Sequence, residues 1–321
     1  MTCDASSCTA TPLIAFCEFD PDKMRKKCAF MFWNHTRYLI LTITTLCLTS
    51  LTSNSLILNF TVICMGNDDG GLPSLNSSAD TSEINSTAIN ERNQNSPSTA
   101  AKGLLFSAIA VGALIGTYPV IYLSDKIGIR YTMIVFGSIS AISTLLGPLF
   151  ASIGLWPLIF IRFLEGVGVS ASFPIRGSVT AQWSTLEDNG IFISILSCNL
   201  QFGPLFTMPV SSAFCTSKYG WEASFYLHGI ITILFLMIFF IAYCDDPVDH
   251  PCVSAKEVAA IEAGKNGAKV NKNMTVPYRA MLKTPSVWAI FVCAVGCTFA
   301  FQLLYQYGPI YMNKVTFNSY V

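Results

Sequence analysis

Residues 155–179 read LWPLIFIRFLEGVGVSASFPIRGSV, an apolar run with Arg162 and Glu165 three residues apart near its middle and Arg176 toward its end. A stretch of this length and polarity matches the roughly 20 apolar residues needed to cross a hydrocarbon core. Ionised side chains at that depth are costly, and those that occur face a bundle interior or a water-filled path. On a helix, residues three apart share a face, so the two charges can neutralise each other, and Gly166 and Val169 continue the same stripe. Either they form an internal ion pair that satisfies itself, or they border a solute pathway. Arg162 then attracts an anion through its forked, permanently protonated guanidinium, and Glu165 exchanges a proton. Arg176, four turns on, reads more simply as an anchor that fixes topology.

The rest of the chain fits a membrane protein. Of its 321 residues 52% are hydrophobic and only 12% charged, unlike an ordinary soluble domain. Lys plus Arg and Asp plus Glu balance at 19 each, so no net field points to nucleic acid. Further runs of spanning length lie at Tyr38 to Met65, Lys102 to Leu123, Tyr131 to Phe150, Gly190 to Phe214, Ala223 to Tyr243 and Ser286 to Met312, which predicts seven crossings and an all-α fold. Pro119, Pro148, Pro174, Pro204 and Pro209 fall inside these runs, a pattern that membrane helices tolerate because neighbouring groups re-satisfy the freed backbone.

Basic residues in short flanks set the expected orientation. Lys23, Arg25, Lys26, Lys27 and Arg37 precede the first run, Lys126 and Arg130 separate the second and third, and Lys256, Lys265, Lys269, Lys272, Arg279 and Lys283 separate the sixth and seventh. All fall on one side if the N-terminus is cytosolic. The expected organisation is a cytosolic tail at 1–37, six spans at 38–243 with an external loop at 67–101, a cytosolic linker at 244–285, and a seventh span at 286–321. Asn76-Ser77-Ser78 and Asn85-Ser86-Thr87 make that loop a glycosylation acceptor. Within the linker, Ser254-Ala255-Lys256-Glu257 fits a capping box, with the glutamate reaching back to the serine.

Twelve cysteines show no zinc-site spacing. Isolated buried thiols are their commoner fate, although Cys64 and Cys215 can both reach the external face and pair. No nucleophile–base–acid set or cofactor motif is present, so no enzyme is expected. Gln201, Asn199 and Asn54 are polar groups inside other spans. Gln302 and Gln306, four residues apart, give the seventh span a polar face that either borders a path or joins the interfacial aromatic belt with Tyr305 and Tyr307.

The loop Ser124-Asp125-Lys126-Ile127-Gly128-Ile129-Arg130 resembles the signature between helices two and three of the major facilitator superfamily, with Ile121 in place of its leading glycine and Ile129 in place of one basic residue. A tight turn needs Gly128, which supplies a positive φ without steric cost. Arg162-Phe163-Leu164-Glu165-Gly166, Phe173-Pro174, Trp183, Glu187, Gly220-Trp221, Phe225-Tyr226, Asp246-Pro247 and His250-Pro251 follow in order. Together they resemble the branch of organic-anion and phosphate symporters that includes sialin, the vesicular glutamate transporters and the type 1 sodium–phosphate cotransporters, over roughly Leu104 to Tyr311. The resemblance implies a six-helix N-terminal half plus a seventh helix, a gating loop at Asp125, Lys126, Gly128 and Arg130, and transport of a small organic or inorganic anion coupled to sodium, protons or membrane potential. It places the family's fourth-helix arginine on Arg162; the residues themselves offer Gln201, Gln302 and Gln306 as further substrate contacts and Glu165 as the coupling group. The glutamate that the family is thought to use for proton coupling falls on Val169, with Glu165 at a neighbouring position, and three polar anchors fall near Ile57, on Phe106 and near Cys297, which argues against a glutamate-like substrate. Twelve spans are expected of such a transporter, so a truncated product is the accompanying expectation, and a non-transporting chain that modulates a full-length relative is the alternative. A G-protein-coupled receptor is disfavoured by the basic N-terminal flank and by the missing Asp-Arg-Tyr and Asn-Pro-x-x-Tyr motifs.

Overall fold

Hydrocarbon offers backbone amides no water, so an apolar stretch in a membrane satisfies its hydrogen bonds by coiling on itself. The computed structural model describes residues 35–62, 64, 99–248, 250, 253–263 and 278–319, and among them every regular element is a helix. In chain order these are α1 (Thr36–Thr61), α2 (Thr99–Ile153), α3 (Leu155–Val169), α4 (Ser172–Trp183), α5 (Asn189–Ser197), α6 (Asn199–Cys215), α7 (Glu222–Ala242), α8 (Ala255–Glu262), α9 (Tyr278–Lys283) and α10 (Pro285–Ser319). The external loop with Asn76 and Asn85, and the tail before His35, lie outside the described residues.

Six helical stretches among the described residues are long and apolar enough to cross a membrane. One of them, Gly103–Ile153, has 51 residues, about 77 Å if straight at 1.5 Å per residue, more than twice a hydrocarbon core of about 30 Å. It is two crossings. Gly128, at φ 86° and ψ 171°, breaks the helix, and the packing shows the reversal. Before it, Gly112 lies against Phe163 and Gly116 against Val167, so the first limb runs parallel to α3; after it, Ser140 faces Gly168 and Thr144 bonds Glu165, so the second limb runs antiparallel. α3 with α4, and α5 with α6, each form one interrupted crossing, Leu155–Trp183 and Asn189–Cys215. Seven crossings result, as the hydropathy predicts.

Glycines let these helices approach closely, as small residues do in membrane bundles: a Cβ at Gly112, Gly166 or Gly168 would collide with the backbone of the neighbouring helix. Apolar packing forms two layers. The larger joins Ile40, Leu48, Phe136, Ile175, Trp183 and Phe239, and the other joins Ile57, Leu58, Leu105, Leu155 and Phe225 at the opposite end. Between them runs a buried polar band in which Asn54 donates to Ser140 (3.3 Å) and accepts from Thr232 (3.2 Å).

Each end of the bundle is fastened. At one end the Gly128 turn presents the amides of Ile129 and Arg130 to Asp245 Oδ1 at 2.8 and 3.1 Å, while the Arg130 guanidinium donates to the carbonyl of Phe240 near the end of α7, a favourable place for a cation. Ser254 caps α8 by accepting from the amide of Glu257 at 3.3 Å. The glutamate does not reach back as the capping box predicts; Oε1 accepts from the amide of Arg37 at 2.9 Å and so caps the start of α1. At the other end Cys64 and Cys215, 151 residues apart, form a disulfide, correcting the expectation of isolated thiols at these two positions.

Candidate functional site

Arg162 and Glu165 lie in the polar band, on the part of α3 that nests between the two limbs of α2. Each is 1% exposed. Arg162 Nη1 meets Glu165 Oε2 at 2.6 Å and donates to the carbonyl of Ser55 on α1 at 3.4 Å, while Thr144 Oγ1 donates to Glu165 Oε1 at 2.9 Å. Nη2 of Arg162 is buried without a hydrogen-bond partner among the described residues. A buried, paired and hydrogen-bonded charge set of this kind meets the condition on which burial is tolerable.

Beside this pair, on the far side of Ser55, is a cavity of about 260 Å³. Its walls come from α1 (Ser55, Asn59), the first limb of α2, the α3–α4 junction (Val169, Ser172, Arg176), α6 (Asn199, Gln201) and α10 (Thr298, Gln302). Gln201 and Gln302, picked out in the sequence, do meet here. Arg162 and Glu165 are not in the wall; the guanidinium stands behind Ser55. The charge that does line the cavity is Arg176, which the sequence assigned to topology. Its Nε donates to the carbonyl of Ser172 at 3.1 Å and its guanidinium carbon sits 4.3 Å above the Phe173 ring. That leaves Nη2 buried and without a partner among the described residues, as are Ser172 Oγ, Asn59 Oδ1 and Asn199 Oδ1. Nδ2 of Asn199 is committed to Thr52 Oγ1 at 3.1 Å, which fixes the amide and turns its oxygen free. Among the described residues, no carboxylate lines the cavity. Gln306 lies one turn beyond Gln302 on α10, and its side chain is outside the described residues.

Four buried polar groups without partners, one of them cationic, are expensive to maintain in a dry wall. Of the four, Arg176 Nη2 and Ser172 Oγ can donate to a solute, whereas the two asparagine oxygens only accept and call for a donor on it. The signal in the sequence was the spacing: Arg176 follows Arg162 by 14 residues, nearly four whole turns at 3.6 residues each, so both fall on one side of the α3–α4 crossing at different depths.

In the Gly128 loop, Asp125 and Lys126 are exposed, with the Lys126 ammonium 4.6 Å above the Tyr122 ring. Asp245, which holds the loop by its amides, was not singled out in the sequence, because its partner lies 115 residues earlier. Nearby, His250 donates from Nε2 to the carbonyl of Ala242 at 3.0 Å and meets the edge of Trp183 at a centroid distance of 5.7 Å. Burial holds its pKa below the ordinary histidine value, against the partial support of that hydrogen bond.

Comparisons with known proteins converge. The sequence pattern of the Major Facilitator Superfamily matches residues 58–320. Sodium-dependent phosphate transport protein 1 of Oryctolagus cuniculus is 26% identical over 214 residues, covering 67% of this chain and 46% of that protein. Its Homo sapiens namesake is 25% identical over 300 residues, covering 92% and 61%, and Homo sapiens sialin is 27% identical over 215 residues, covering 67% and 43%. The chain thus spans about half the length of the curated relatives it matches. Among solved structures, the inward-open xylose transporter of E. coli superimposes with a TM-score of 0.52 at 17% identity, covering 73% of this chain and 53% of that one, a likeness of fold.

Proposed function

Because the chain belongs to the major facilitator superfamily, as a multi-pass membrane protein whose relatives are transporters, we propose that it acts in secondary active transport of a small organic or inorganic anion, coupled to sodium, protons or the membrane potential. One observation carries this proposal: among the described residues, Arg176 is the one cation that lines the cavity among α1, α2, α3–α4, α6 and α10, and its Nη2 has no hydrogen-bond partner among them. Relatives named for sodium-dependent phosphate transport and for urate export supply the trial solutes. Arg176 binds the anion, Gln201, Gln302 and Gln306 provide polar contacts, and Arg162, neutralised by Glu165, stands behind Ser55. Glu165, held by Arg162 and Thr144, is the coupling group. In transporters of this architecture access alternates by rocking of one repeat or bundle against another around a fixed midplane site; the Asp125–Arg130 loop, secured by Asp245, gates that movement. The basic flanks support a cytosolic N-terminus, and the Cys64–Cys215 bridge at the opposite end agrees, since disulfides persist in oxidising compartments.

The test is titration of the purified chain with inorganic phosphate and with urate, read by tryptophan fluorescence, alongside uptake of the same solutes by cells expressing it. Loss of a hydrogen bond to a charged group is worth about 1.5–3 kcal/mol, so Arg176→Gln should weaken binding roughly ten- to a hundredfold at unchanged melting temperature. Equal affinity for both anions in the variant and the parent would reject the site. Glu165→Gln should alter the pH profile of uptake, and an identical profile removes it from coupling.

A further inference from the structure

A second cleft, of about 480 Å³, opens on a different face of α1, between α6 and α7. Leu46, Thr49, Ser50 and Ser53 form its floor, spaced as one helical stripe, whereas the anion cavity uses the stripe of Thr52, Ser55, Leu56 and Asn59. Exposed Leu205 and Leu234 form its lips, so it faces the surface a bilayer covers. Its hydroxyls are occupied: Thr49 donates to Thr45 (2.7 Å), Ser50 to Cys47 (2.8 Å) and Ser53 to Gly203 (3.3 Å), all to carbonyls. His228 is different. It is 1% exposed, and its Nδ1 lies 2.8 Å from the carbonyl of Ser224. A carbonyl only accepts, so Nδ1 carries the proton and Nε2 is a bare acceptor; it is buried without a partner among the described residues, with the Phe206 ring 5.2 Å away.

An apolar, lipid-facing cleft with one unmet acceptor calls for an apolar molecule with one donor. Among the described residues no charged one lines it, which disfavours a phosphate headgroup or an ionised fatty acid, both of which require a cation. We propose that this cleft binds an uncharged membrane lipid whose polar group is a single hydroxyl, a sterol, with that hydroxyl donating to Nε2 of His228 while Phe202, Phe206 and Phe235 pack against its rings. The site is independent of the anion cavity.

The experiment places the whole chain in phosphatidylcholine vesicles containing a diazirine-bearing cholesterol, illuminates them, and maps adducts by mass spectrometry. Adducts are expected on α1, α6 and α7. Cholesterol should displace the probe about three- to tenfold better than its 3-ketone, which lacks the donor, the range set by one net hydrogen bond. His228→Phe should erase that preference, and Leu205→Trp, which plugs the mouth without touching the imidazole, should abolish labelling. Equal competition by alcohol and ketone, adducts elsewhere, labelling that survives Leu205→Trp, or cross-links between two copies at these helices would overturn the proposal. If His228→Phe does not fold, the competition on the unaltered chain and the Leu205→Trp result still decide.

Discussion

Removing either partner of the Arg162–Glu165 pair should cost far more than removing both. Arg162→Met leaves a carboxylate that is 1% exposed with Thr144 as its remaining support, and Glu165→Leu leaves a guanidinium whose other bond is a long 3.4 Å contact to Ser55. An uncompensated buried charge costs about 3–5 kcal/mol, whereas replacing a buried pair by apolar residues of similar volume is often neutral. The double variant should therefore lie within about 2 kcal/mol of the parent although the single costs sum to roughly 6–10 kcal/mol. The coupling in a double-mutant cycle is then at least about 4 kcal/mol. Unfolding in mixed detergent–SDS micelles, followed by tryptophan fluorescence, measures all four proteins. Additive single variants, each costing less than about 1 kcal/mol, would refute the closed-pair geometry. If the pair holds and the folded double variant loses the pH dependence of uptake, coupling belongs to it as well as stability.

Two further outcomes follow from the fastened end of the bundle. Gly128→Ala places a Cβ in a left-handed conformation, at about 1–2 kcal/mol, and drives it against the Asp245 carboxylate; a lowered melting temperature is expected, and an unchanged one contradicts the turn. For His250 the folded pKa is depressed by burial, so folding favours the neutral ring. Its contribution to stability is complete above the unfolded value of about 6.5 and is lost as pH falls through the folded one. Comparing melting from pH 8 to pH 5 for the parent and His250→Asn should show a steeper acid loss in the parent, and parallel curves would count against a buried neutral imidazole.

Much of the fold is legible in the chain because a bilayer imposes one rule on length and polarity. The limits of α7, Glu222–Ala242, differ by one residue from the hydropathic run Ala223 to Tyr243, and the turn between the second and third crossings is marked by Gly128, where only backbone freedom suits the geometry. What hydropathy did not separate is interruption within a crossing: the regular helix lapses at Ser170 and Ala171 in Leu155–Trp183 and at Cys198 in Asn189–Cys215, although the backbone there stays in the right-handed helical region and apolar character is not lost. The candidate site was half legible. Arg162 and Glu165 are conspicuous because they are charges among leucines and glycines, yet whether a charge meets a cavity depends on what the facing helix covers, and Ser55 covers Arg162. Arg176 borders solvent-sized space at the wall that the α3–α4 junction gives the cavity. Neither fact is written in local sequence, and the grip of Asp245 on amides 115 residues away is likewise tertiary.

The bridge between Cys64 and Cys215 also bears on biogenesis. Four crossings separate the two sulfurs, an even number, so they share a face when every intervening segment has threaded. Were one segment to stall outside the bilayer, the parity would change and the thiols would stand a membrane apart. Oxidation thus excludes, in a covalent bond, a chain in which a single intervening segment failed to insert, and its absence on a non-reducing gel marks chains whose weaving went wrong in that way.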